Sequence, residues 1–243
     1  MPEFTDPYLD PATGILRNLV GATSQPDLDW REAQLTAVAA VSIGVSPVKP
    51  TGDLRELCAI HERLFGKLYD WAGKVRTVDM RKGSDRNADF FMPVSRLDSG
   101  AGFAFFELAE DNHLKGLGTQ QFVNRLAHHY DQVNYLHPFR EGNGRTQRIL
   151  WTNVARRAGW TLRWNEVTGA ENDQASRHAM ENRDLSGLRT MFNRIAAPAG
   201  ESPQQSKRVT PATANERKLR FPELFDGPGT AETVTEDGYG LER

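Results

Sequence analysis

Within twelve consecutive positions the chain sets an imidazole, a carboxylate, an amide between two glycines and two guanidiniums: His137-Pro138-Phe139-Arg140-Glu141-Gly142-Asn143-Gly144-Arg145-Thr146-Gln147-Arg148. That mixture suits the handling of a nucleoside triphosphate. His137, titrating near neutrality, fits a general base that removes a proton from an attacking hydroxyl. Glu141 is a hard oxygen ligand of the kind that holds Mg²⁺ together with substrate phosphates. The Asn143 amide can donate to a phosphoryl oxygen at the reacting centre. Arg145 and Arg148 fall on one side of a helical first turn, where the helix dipole disfavours a cation by roughly 0.3 to 1 kcal/mol. Two cations placed against the dipole suggest an anion between them. Each residue alone is ordinarily structural or solvated; the joint spacing carries the chemistry. Phe139 is read as a core anchor with no chemical role.

The elements around the run must deliver these groups. Pro138 lacks an N–H and disfavours helical geometry at the residue before it, so a helix over 119–136 should end near His137 and leave it at the lip of a loop. Gly142 and Gly144 permit strained backbone angles, and Ile149, Leu150, Trp151 and Val154 recur with helical spacing, so a second helix should start at about Gly144. A glycine-rich turn entering a helix presents unpaired N–H groups to an anion.

The run matches, at every defined position, the Fic family signature His-Pro-Phe-x-(Asp/Glu)-Gly-Asn-Gly-Arg-x-x-Arg. Similarity to the bacterial Fic domain extends from about residue 8 to about residue 192, carried also by Tyr8-Leu9-Asp10-Pro11, Leu16-Arg17-Asn18, Leu64-Phe65-Gly66, Tyr69-Asp70-Trp71-Ala72-Gly73 and Arg76-Thr77-Val78. The resemblance implies a mainly α fold, a Fic-type helical bundle with a short β-hairpin flap. It implies that His137 deprotonates a target side-chain hydroxyl, that Glu141 binds Mg²⁺, and that Gly142, Asn143 and Gly144 form the anion hole. Arg145 and Arg148 would hold the β- and γ-phosphates, so that AMP is transferred from ATP and pyrophosphate leaves. Family members that phosphorylate carry Lys at the position of Gly144, and phosphocholine transferases carry Ala at the first glycine; this chain has neither, which favours adenylylation. Residues 81–93 are polar and turn-rich, then abruptly apolar, as in a hairpin or a surface loop. In the family a flap here registers the target segment by main-chain pairing, which makes Arg81, Lys82, Gly83 and Ser84 candidate target-positioning residues.

At 243 residues with a net charge of −2, the chain can bury a sizeable core and has no general affinity for nucleic acid or an anionic membrane. The single Cys58 sits among apolar neighbours and reads as a structural thiol. No signal peptide or spanning apolar run is visible, so a bacterial cytoplasmic location is the expectation. Helices are predicted at 27–42 (apolar face Leu28, Trp30, Leu35, Val38, Val41), 53–65, 95–111, 119–136, 144–158, 171–181 and 184–195, with strand signal only in the flap. This divides the chain into an N-terminal lead-in and helix over 1–52, a core domain over 53–196, and a Pro/Ser/Thr-rich tail over 197–243. His61-Glu62 begins like a zinc-protease helix but has Phe65 where the second ligand must stand. His128 and His129 project about 100° apart and are poor partners for one metal.

Two functions from different classes follow: a protein adenylyltransferase, or a nucleotide-binding interaction module with little activity of its own. The intact motif favours the enzyme. Fic enzymes are commonly restrained by an inhibitory helix, (Ser/Thr)-x-x-x-Glu-(Gly/Asn), whose glutamate pairs with the residue at Arg148, and no such pattern occurs in this sequence. A small antitoxin protein supplying that helix in trans is therefore expected, docking on the apolar faces of the 27–42 helix and its neighbours. The resemblance suggests the ATPase subunits of type II topoisomerases (gyrase B and its topoisomerase IV counterpart) as targets, with a secreted effector acting on host small GTPases as the alternative.

Overall fold

A computed structural model describes residues 6–81 and 89–200. Seven α-helices pack about one core: α1 Gln25–Val45, α2 Leu54–Phe65, α3 Leu97–Glu110, α4 Thr119–Leu136, α5 Asn143–Arg157, α6 Gly169–Asn182 and α7 Ser186–Ile195. The mainly α class and the order of helices agree with the sequence.

The centre is α4. Its Phe122, Val123, Leu126, Ala127, Tyr130, Val133 and Leu136 are all buried, and α3, α5, α6 and α7 pack around it. At 100° per residue these positions cover an arc of about 180°, wider than the stripe of a surface helix, which lets several helices pack on it at once. Full burial of such side chains contributes about 1.5–3 kcal/mol each, so the helix that ends at His137 is the most firmly anchored in the molecule. It stops where Pro138 requires, with His137 in the left-handed region at φ 43°, ψ 59°.

The apolar face expected on α1 is not its inward face. Leu28, Glu32, Thr36, Ala40 and Ile43 point inward, whereas Trp30, Val38 and Val41 are largely exposed and Leu35 is partly buried. The inward face buries Leu28, Ala40 and Ile43 in the core and carries one carboxylate, Glu32, which pairs with Arg145 of α5 and accepts from the Tyr69 hydroxyl.

A two-stranded antiparallel sheet, β1 Trp160–Leu162 against β2 Ala196–Pro198, was not expected from sequence. Three-residue strands are too short to display alternation. The pairing carries Ala197 and Pro198, assigned to the tail by composition, into the folded core, and Ala199 N–H donates to the Gly159 carbonyl at 2.8 Å. The flap stem is present as an antiparallel bridge between Arg81 and Phe90, with Phe91 N–H donating to the Met80 carbonyl at 3.0 Å. Lys82, Gly83 and Ser84 lie outside the described residues.

Candidate active site

His137 sits at the end of α4, half-buried, its N–H still donating to the Val133 carbonyl. The flap stem supplies its lid: the buried Phe91 ring lies flat on the imidazole, centroids 3.7 Å apart and planes 10° from parallel. Stacking on an aromatic face fixes the ring plane without consuming a ring nitrogen.

The loop from His137 to Gly142 is held shut from within and from below. Asn143 uses its side chain as a staple, donating to the Phe139 carbonyl at 2.7 Å and accepting from Phe139 N–H at 2.9 Å. Oδ1 and one of the two Nδ2 hydrogens are thereby committed to the loop, and the Asn143 main-chain N–H is a further donor that can face an anion. Below the loop, His61 donates from Nε2 to the Glu141 carbonyl at 2.9 Å and accepts at Nδ1 from Gly73 N–H at 2.8 Å. Its ring stacks on Phe139 at 3.9 Å. The two hydrogen bonds define one neutral tautomer.

Gly142 turns the chain into α5 at φ 80°, and a Cβ there would meet the Phe65 ring at 2.4 Å. The first turn of α5 then leaves the N–H groups of Asn143, Gly144 and Arg145 without an acceptor among the described residues, the first helical bond being Thr146 N–H to the Gly142 carbonyl. A Cβ on the exposed Gly144 would meet nothing within 4 Å. Open N–H groups at a positive helix terminus beside free space make an anion site.

The two arginines engage different neighbours. Arg145 reaches toward α1: its guanidinium lies 2.5 Å from Glu32 Oε1, 3.2 Å from Glu141 Oε1, and over the Phe65 ring at 4.8 Å. Burial alone would lower its pKa, but Glu32 and Glu141 outweigh that and hold it above the ordinary arginine value. Burial pushes the Glu141 carboxyl up and Arg145 opposes the shift. Arg148 forms no ion pair among the described residues; its guanidinium lies 5.7 Å from the Trp164 ring centroid. It remains available to a soluble anion.

The Fic/DOC family model matches residues 51–155, which contain His137, the loop and the start of α5. A probable protein adenylyltransferase Fic of Salmonella typhimurium is 35% identical over 200 residues, covering 82% of this chain and 96% of that protein. The chain belongs to the Fic/DOC family. The protein adenylyltransferase VbhT of Bartonella schoenbuchensis is 37% identical over 70% of the chain, which spans about a third of that longer protein (35%). The crystal structure of the BepC effector of Bartonella tribocorum with bound AMPPNP superposes with a TM-score of 0.74 at 25% identity, covering 79% of this chain and 96% of that one.

Within this Fic fold, three supporting residues escaped the sequence reading. His61 was dismissed as half of a failed metal motif, and Glu32 and Phe91 carried no local signal; each acts across long sequence separation, 80 residues in the case of His61 and Glu141. Burial holds the His61 pKa at about 4, against an ordinary 6.5. Since folding lowers this pKa, the unfolded chain binds more protons between the two values; the stability contribution is present above about pH 6.5 and is lost as pH falls toward about 4. The full effect is on the order of 3 kcal/mol. His129, whose pKa burial also lowers, adds to the same slope. Urea unfolding at several pH values should therefore show stability falling below pH 6.5, with a shallower fall in His61→Gln; equal slopes in the two proteins would contradict this role.

Proposed function

We propose that this chain is a protein adenylyltransferase that moves AMP from ATP to a hydroxyl side chain of another protein. The observation that carries the reading is the joining of a base-bearing helix end to an anion-binding helix start by one short, pinned loop. His137 takes the hydroxyl proton, the hydroxyl oxygen bonds to the α-phosphorus, the bond from that phosphorus to the bridging oxygen breaks, and pyrophosphate departs. The open N–H groups of Asn143 and Gly144, with Gly142 shaping the turn, receive the charge that develops on the phosphoryl oxygens. Arg148 takes the outer phosphates. Arg145 serves the β-phosphate and the carboxylates that hold it. The bound AMPPNP of the BepC structure supports ATP as the nucleotide.

The residues fit a Mg²⁺ ion. Glu141 Oε1 is engaged by Gly142 N–H (2.7 Å) and Arg145, while Oε2 accepts no hydrogen bond from the described residues, which leaves a hard oxygen donor beside the phosphate site. When bound, Mg²⁺ would neutralise phosphate charge and favour pyrophosphate as a leaving group.

The biological setting proposed is the bacterial cytoplasm, with the chain as the toxin of a pair. Arg148, with no ion pair among the described residues, supports an antitoxin that supplies a glutamate in trans, and the exposed Trp30, Val38 and Val41 of α1 are the proposed docking face. Gyrase B and the topoisomerase IV ATPase subunit are the proposed targets, on the family resemblance. Arg81 heads the flap that would register the target, its guanidinium 4.0 Å from the Phe90 ring centroid. Incubating the purified chain with labelled ATP, Mg²⁺ and a bacterial lysate should label a discrete protein; absence of labelling across lysate and purified topoisomerase subunits would favour the interaction-module reading.

A further inference from the structure

Arg76 is the most completely buried cation in the described structure, 1% exposed, and it is answered almost entirely by main-chain carbonyls. Its Nε donates to the His137 carbonyl at 2.8 Å, Nη1 to Val78 at 2.6 Å, and Nη2 to Met92 and, at 3.4 Å, to Leu136. Its own N–H donates to the Pro138 carbonyl at 2.7 Å. The nearest carboxylate, Asp79, is exposed and 3.8 Å away. Three pieces of chain thus converge on one rigid fork: the end of α4 with its left-handed His137, the segment leading into the flap stem at Val78, and the segment leaving it at Met92.

We infer that Arg76 is a positioning residue that fixes the flap and the His137 imidazole in one register. A non-glycine residue in the left-handed region is strained, and a charge-assisted bond to its carbonyl holds it there. The same guanidinium anchors Met92, one residue beyond the Phe91 ring that covers the imidazole. A target segment registered on the flap is by this route registered on the base, and a misplacement of about 1 Å costs on the order of 10²-fold in rate. Lysine cannot substitute, because a single ammonium has no planar fork to span carbonyls on three segments.

This inference rests on His137 as the base, so its test separates positioning from chemistry. Arg76→Lys and Arg76→Gln are purified and screened for folding by circular dichroism and thermal melting. In each folded variant, the His137 Cε1–H resonance, assigned by comparison with His137→Ala, is recorded by NMR, Mg²⁺-AMPPNP affinity by calorimetry, and label transfer from ATP to lysate protein by initial rate. In the wild type an upfield displacement is expected for a ring stacked on Phe91. Loss of that displacement, with nucleotide affinity within about threefold and label transfer reduced at least about tenfold, is the expected result. An unchanged resonance and rate, a parallel loss of nucleotide affinity, or failure of both variants to fold would each overturn the assignment. If wild type labels nothing while the resonance shifts as expected, the positioning stands and the adenylyl-transfer reading falls.

Discussion

His137→Ala is expected to cut AMP transfer by about 10²- to 10⁴-fold while leaving ATP affinity nearly intact. The imidazole stands at the end of α4 under Phe91, and the phosphate-binding N–H groups belong to α5, so deletion of the base leaves the anion site standing. Arg148→Ala should behave differently. Its guanidinium is unpaired among the described residues and free to clamp outer phosphates, so both affinity and turnover should fall, by about 1.5 to 3 kcal/mol for a lost charge-assisted bond. Calorimetric titration of ATP into both variants beside a turnover assay checks the split. Loss of nucleotide binding in His137→Ala, with full binding and activity in Arg148→Ala, would reverse the two roles.

The second large effect is expected at the first glycine of the motif. Gly142→Ala must hold a methyl group at φ 80° and 2.4 Å from the Phe65 ring. The left-handed backbone costs about 1–2 kcal/mol, and overpacking against a buried ring adds roughly 1–3 kcal/mol. Either the turn rotates, withdrawing the α5 N–H groups from the anion, or Phe65 moves and disturbs the Arg145 guanidinium stacked on it. Reduced melting temperature and at least a tenfold loss of ATP affinity are therefore expected together. Gly144→Ala is the contrast, since its Cβ meets nothing and helix propensity improves by up to about 1 kcal/mol. Its fold should be unharmed, and any loss should lie in nucleotide binding alone. Equal melting temperatures for wild type and Gly142→Ala would remove the steric argument.

The helices were legible because their ends are written locally. Pro138 stops α4, Gly142 starts α5, and apolar residues at helical spacing mark the stretch between caps. Motif positions were legible for the same reason, all lying within one loop and the first two turns of α5. What could not be read was work done across the chain. The inward face of α1 sets Glu32 against Arg145, more than a hundred positions away, and leaves its valines Val38 and Val41 outside. Asn143 reads from sequence as a donor to substrate, and its second task, closing the loop through Oδ1 and one Nδ2 hydrogen, has no sequence signal. His61 and Arg76 bind main-chain carbonyls, a kind of partner that leaves no mark in side-chain sequence. The three-residue strands β1 and β2 lacked the length to declare themselves.

The central claim is that AMP, and not a terminal phosphoryl group, moves to a protein hydroxyl under the control of His137. Two parallel incubations with a bacterial lysate and Mg²⁺, one with ATP labelled at the α-phosphate and one with ATP labelled at the γ-phosphate, test it most directly. A protein band labelled only from the α position, carrying an AMP adduct by mass spectrometry and missing with His137→Ala, is the expected result. Label arriving from the γ position, or α-label that persists undiminished in His137→Ala, would contradict it.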